Sequence, residues 1–233
     1  VTTGQNIADE ARADLSDGDS SNYRWSSADI LVYINAAIRE IITLVPEAGA
    51  VEDTMSPVPG TRQEIPNDGI KFLGVTNVII DGADITRGHA ATEVEYDSLN
   101  SSFPDWAWTI LLPDEDDPDN WVAHHFAHDP REPTTFDVYP ECPDDDQALL
   151  VKYVQIPSPL AALSEVFPLR AEFVNPAVLY TKYRMVSKDG RQQASPTVRA
   201  EMWDNFRSSL GLKIESEKRV DPATYRPPAD NHG

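Results

Sequence analysis

The sequence predicts an α+β fold: a discontinuous α-helical bundle built from both ends of the chain, an inserted antiparallel β-rich unit, and an extended C-terminal tail. Three observations predict it. Helical periodicity occurs only near the two ends, while the interval holds short β-branched and aromatic runs separated by Pro, Gly, Asn and Asp. The last stretch has no apolar period and includes two consecutive prolines. The predicted division is a helical domain at 1–50 and 165–213, a β-rich domain at 51–164, and a tail at 214–233.

Taken in order, "GQNIADEARADL" at 4–15 sets Ile7, Ala11 and Leu15 at i, i+4, i+8, a short amphipathic helix. After a polar loop, "WSSADILVYINAAIREIITLVPEA" at 25–48 reads as a longer one. Ser26 is placed to cap it, with Asp29 three positions on as in a capping box. Ile34, Ile38, Ile41 and Val45 fall on one line, flanked by Ile30, Leu31, Ala37, Ile42 and Leu44. Only Val32, Ala36, Arg39, Glu40 and Thr43 lie opposite. Such a stripe is wider than the ~100° of an ordinary surface helix. It calls for a bundle or a contact between subunits.

Past Pro46, the runs "TRQEIP", "IKFLGVTNVII", "ATEVEYDSL", "WVAHHFA", "PTTFDVYP" and "QALLVKYVQIP" read as strands of a small sandwich or meander. Helical texture returns with "VNPAVLYTKYRMVSKDG", where Asn175 is the expected cap, Pro176 the first helical position and Gly190 the stop. "ASPTVRAEMWDNFRSSLGLK" repeats the pattern with Ser195, Pro196 and Gly211, and puts Val198, Met202, Phe206 and Leu210 on one face.

The chain has 233 residues, with 39 Asp plus Glu against 19 Lys plus Arg, a formal charge of −20. That balance repels nucleic-acid phosphates and anionic lipid. It suits either a well-solvated acidic protein or one adapted to high salt, and the Asp excess with scarce Lys favours salt. No apolar run approaches the ~20 residues of a membrane span, so no membrane is expected as partner. The acidic start "VTTGQNIADEARADL" lacks the basic and apolar segments of a signal peptide. Cys142, the one cysteine, excludes an internal disulfide and a multi-cysteine zinc site.

Little in the sequence points to catalysis. "HHFAH" puts His124 and His128 on one face of a strand with His125 opposite, but zinc needs three or four converging ligands, and only His89 and His232 remain. "PDEDDPDNW", "CPDDDQ" and "DLSDGD" do not match a calcium loop and read as solvated turns. Cys142 has no basic sequence neighbour to activate it. Nucleophile-elbow, phosphate-loop and dinucleotide motifs are absent from the sequence. The expectation is therefore a protein that is not an enzyme, with no catalytic residues, no cofactor and no metal.

The order of elements resembles the head-to-tail adaptor (connector) proteins of short-tailed, podovirus-like phages. The residues that carry this are Arg24, Trp25, Asn35, Arg39, Glu40, Ile41, Pro46, Glu47 and Ala48 at one end. At the other they are Tyr180, Tyr183, Arg184, Ser187, Lys188, Asp189, Phe206, Leu210 and Gly211. Residues 82–140 lie outside the resemblance and read as an insertion specific to one virus. The resemblance implies a structural virion protein at the neck, assembled in the host cytoplasm. It implies a ring, usually of about twelve copies with heterologous contacts between neighbouring adaptor subunits. The ring's partners would be the portal protein above and tail nozzle or tail fibre proteins below, with genomic DNA only passing through the lumen. In the tail, Tyr225, Arg226, Pro227 and Pro228 are the expected interface, because Tyr and Arg are enriched at contact hot spots and the prolines hold the chain extended. The competing reading is a monomeric β-rich carbohydrate- or surface-binding module of a halophilic organism, with Trp106, Trp108 and Trp121 as its aromatic platform.

Overall fold

The structure is a computed structural model. It describes residues 1–20, 22–66, 68–81, 84–102, 104, 106, 121–143, 147–188 and 195–211, with 78–81, 84–87 and 89 described by backbone alone. The chain divides into two compact units, one of residues 1–48 and 158–233 and the other of residues 49–157.

The first unit contains α1 (Gly4–Asp14), α2 (Ser27–Leu44), α4 (Val174–Lys188) and α5 (Pro196–Ser209). Helix α1 starts in a capping box, with Thr3 Oγ1 accepting from Asn6 N–H and Asn6 Oδ1 accepting from Thr3 N–H at 2.8 Å. Its first turn lies against the chain that returns from the other unit. Gly4 N–H donates to Glu165 O at 3.0 Å, and Phe167 N–H to Thr2 O at 2.9 Å. A Cβ on Gly4 would meet Leu163 O at 3.1 Å, so glycine permits the close approach.

Ser26 caps α2 as expected, accepting from Asp29 N–H at 3.1 Å. The buried face of α2 is Ile30, Ile34, Ala37, Ile38, Ile41 and Ile42, and Val32 on the opposite face is 58% exposed. Val45 ends the helix one residue before a 3-10 turn at Pro46–Gly49 and is only partly buried. Helix α4 departs from expectation at its start. A 3-10 turn at Ala171–Phe173 runs straight into it, so Asn175 lies inside the helix rather than capping it, and Pro176 sits in the first turn. Proline is tolerated there because the first turn's N–H groups have no partner within the helix. Helix α5 begins as predicted, with Ser195 as N-cap and Pro196 in its first turn; Gly211 follows it at φ +73°. Gly190 and residues 212–233, including Tyr225, Arg226, Pro227 and Pro228, lie outside the described residues.

The second unit holds two four-stranded sheets. One has the order β1 (Ala50–Met55), β8 (Leu149–Gln155), β3 (Gly69–Asp81), β4 (Asp84–Ala90), all antiparallel. The other runs β2 (Gly60–Glu64), β7 (Thr135–Cys142), β6 (His125–Ala127), β5 (Thr92–Glu93). Because β5 pairs with β6 in parallel, the unit is mixed rather than purely antiparallel, and its strand orders are not those of a meander. "ATEVEYDSL", expected as a strand, supplies only the short β5 before turning into helix α3 (Tyr96–Ser102). Ser98 and Leu99 N–H both donate to Glu95 O there, and polar residues follow Leu99 where a strand would alternate. Both sheets contribute to one core of Phe72, Val75, Phe126, Phe136, Val138, Leu149, Val151 and Tyr153, with Cys142 buried in it. Phe72 stacks on Phe136 and meets Phe126 edge-on.

Candidate functional site

The distinctive arrangement of the helical unit is the junction that ties residues 24–35 to the chain beyond residue 158. Trp25 packs its indole into the core, 7% exposed, and its Nε1–H donates to Met185 O at 3.0 Å. Met185 is within the last four residues of α4, whose carbonyls have no partner inside the helix. Asn35, half-buried on α2, clamps the backbone of Leu160: Nδ2–H donates to Leu160 O at 3.0 Å and Oδ1 accepts from Leu160 N–H at 2.8 Å. One side-chain amide thus stands in for a strand partner.

Asp17 and Arg12 hold the Arg24–Trp25 segment from the other side. The Asp17 carboxylate accepts from Arg24 N–H at 2.8 Å and lies 3.9 Å from Arg12 Nε. Arg12 donates to Trp25 O and Ser27 Oγ, both at 3.2 Å, and its guanidinium lies 3.8 Å from the Tyr23 ring centre. Both charged residues are buried, Arg12 3% and Asp17 7% exposed. The sequence reading missed this pair, taking "DLSDGD" as a solvated turn. The available signal was Arg12 itself, next to Ala11 on the buried face of α1, where an arginine needs an acid to pair with.

At the α4–α5 contact, Tyr180 meets Phe206 edge-on at 5.1 Å, and Trp203 packs 5.4 Å from Tyr183 and 5.3 Å from Phe206. Arg184 donates to Tyr180 Oη at 3.3 Å and its guanidinium lies 5.8 Å from the Tyr33 ring centre. Burial pushes the Tyr33 phenol up, Asp29 adds to the rise, and Arg184 opposes it. Lys182 pairs with Asp14 of α1 at 2.6 Å. Of the resemblance-carrying positions, Trp25, Ile41, Ala48, Tyr180 and Phe206 are buried, Arg24, Arg39, Glu47, Lys188 and Gly211 are exposed, and Asp189 lies outside the described residues.

The other sequence-flagged residues do not converge. His128 Nδ1 lies 3.3 Å from Glu93 Oε1 on β5, His125 stacks on Tyr139, and His124 is exposed. Among the described residues, no group of three or more His, Cys, Asp or Glu could hold a metal ion. Trp121 and Trp106 are 7% and 8% exposed, in two separate hydrophobic clusters of the second unit, and so form no open platform; Trp108 and most of "PDEDDPDNW" lie outside the described residues. No helix among the described residues is long and apolar enough to cross a membrane.

A family model described as "SU10 adaptor protein" matches residues 2–229. Among curated proteins none matches. A solved structure titled "Neck of empty GTA particle computed with C6 symmetry" aligns over 88% of this chain and 91% of its own, at 14% identity and a TM-score of 0.29. At that score the alignment does not bear on the fold or role of this chain.

Proposed function

The chain belongs to the SU10 adaptor protein family, and from that premise we propose that it is a structural virion protein, a head-to-tail adaptor at the neck. In this reading copies of the chain form a ring beneath the portal protein, about twelve with heterologous contacts throughout. Tail nozzle or tail fibre proteins attach below, and DNA passes through the lumen. The helical domain and the β-rich domain act as the two working parts, and Tyr225, Arg226, Pro227 and Pro228 in the tail engage the portal or an adjacent subunit.

The observation that supports this best is the junction just described. The adaptor-like residues at the two ends of the chain, Trp25 and Asn35 on one side, Tyr180 and Phe206 on the other, belong to a single helical unit. Trp25 binds α4 directly through Met185. The surplus of carboxylates fits a lumen through which duplex slides without sticking, since like charge repels phosphate. Antibody labelling of purified virions tests the location. Label at the one portal vertex is the expected result. A chain missing from particles, or spread over the capsid faces, overturns the reading.

A further inference from the structure

The two sheets of the second unit end in four edge strands, β1 and β4 on one, β2 and β5 on the other. An edge strand offers a row of unpaired N–H and C=O groups to any other chain. Geometry spoils three of these edges. Strand β5 has two residues, and the pairings of β2 with β7 and of β4 with β3 each contain a register shift. Strand β1 is different. Its six residues pair with β8 without a shift, from Ala50↔Val154 to Met55↔Leu149, and no proline interrupts them. Among the described residues β8 is its only strand partner, and Glu52, Asp53 and Thr54 are exposed. Protection of this edge is therefore left to side chains.

Alternation puts Val51, Asp53 and Met55 on one face of β1, opposite Tyr153, Val151 and Leu149 of β8, which are core residues. Val51 and Met55 pack against that core. Asp53 stands between them, a carboxylate in an otherwise apolar row, and accepts from Tyr153 Oη–H at 2.6 Å. Glu52 and Thr54 belong to the other face, with Glu52 opposite Lys152.

The open edge is self-complementary in shape, so a second copy could add its own β1, antiparallel, about a two-fold axis. A pairing that continues the core face must set core-face residues opposite one another, since a slip by one residue flips every side chain. In the two longest registers that satisfy this, one sets Asp53 directly against Asp53 of the second copy. The other sets Glu52 against Glu52. Like charges directly opposite destabilise a strand pair. We propose that Glu52 and Asp53 together close the β1 edge to a second copy of the chain, each blocking one register. The pair so excluded is a closed dimer, which would withdraw copies from the heterologous contacts of a ring. That consequence rests on the adaptor reading, whereas the closed edge does not.

The test is light scattering of the full-length chain over a range of concentrations, with hydrogen exchange on whatever associates. Asp53→Val makes the core face of β1 an unbroken apolar row. It should lower the concentration at which dimer appears about tenfold relative to the parent, with exchange protection gained at residues 50–55. Asp53→Asn keeps an acceptor for Tyr153 but removes the charge, and should shift association the same way by less. Tyr153→Phe breaks the same hydrogen bond while keeping the carboxylate, and should associate no more than the parent. The proposal is overturned if both Asp53 variants stay monomeric wherever the parent does, or if Tyr153→Phe associates as strongly as Asp53→Val. Protection gained only outside residues 50–55 overturns it as well, and so does a parent that already dimerises through them. Capture of the parent by portal protein, measured separately, bears on the adaptor reading alone.

Discussion

Trp25 and Met185, 160 residues apart in the chain, share a buried hydrogen bond of 3.0 Å from indole N–H to carbonyl oxygen. The bond joins the segment that leads into α2 to the C-terminal turn of α4, and it satisfies a carbonyl that the helix cannot satisfy itself. Asn35 with Leu160 repeats the same kind of long-range tie 125 residues apart. The helical unit is therefore held together by polar contacts between sequence ends as well as by its isoleucine core.

Trp25→Phe keeps an aromatic ring in the core but removes the donor to Met185. Leaving a buried carbonyl without its partner costs about 1–3 kcal/mol, so urea unfolding should show that loss. An unchanged midpoint would mean that the bond contributes nothing.

Ile38→Asp should prevent the helical unit from folding. Ile38 is 2% exposed among Ile34, Ile41 and Ile42. Burying an unpaired carboxylate there costs several kcal/mol, against a domain stability of about 5–15 kcal/mol. A native-like thermal melt by circular dichroism would show that this face is not core.

Alkaline pH should destabilise the β-rich unit. Burial first, then the hydrogen bond to Asp53 at 2.6 Å and that carboxylate's charge, push the Tyr153 phenol up to about 12. An unfolded tyrosine ionises near pH ~10. The neutral phenol therefore contributes its full stabilisation below pH ~10, and the contribution is lost as pH rises through about 12. Tyr96, partly buried and donating to Asp137 at 2.5 Å, is shifted the same way. Stability measured from pH 9 upward should fall across that window, and Tyr153→Phe should flatten the slope. Equal slopes in parent and variant would count against Tyr153.

The isolated protein should stay a monomer or weak oligomer at low salt and form a ring only on the portal. A charge of −20 on every copy opposes self-assembly until further contacts offset it. Light scattering over a range of salt concentrations measures this directly. A stable ring at low salt without portal contradicts it.

Ending the chain after Lys213 should leave the helices folded and weaken portal binding. The removed tail contains Tyr225 and Arg226 and lacks the apolar period needed to build a core. If the shortened chain binds portal with unchanged affinity and particles keep their DNA, the tail has no docking role.

The sequence by itself determined where each helix starts when the signal was local. Ser26 and Ser195 cap α2 and α5, because an N-cap needs only a side chain three residues from the N–H that it accepts. It also determined the buried face of α2, since 3.6-residue periodicity is a property of the helix alone. The adaptor resemblance was legible for the same reason, in short runs at both ends. Tertiary structure decided the rest. Asn175 is a good cap by composition, yet the turn at Ala171–Phe173 carries the helix through it. The apolar period of α5 put Val198, Met202, Phe206 and Leu210 on one face, but only Phe206, which meets Tyr180 of α4, is buried, and Val198 is 39% exposed. Strand order, the parallel β5–β6 pair, and the partners of Asp17 and Asn35 were decided there as well. A carboxylate or an amide reads as polar in any sequence. Only the folded chain determines which distant backbone group it meets.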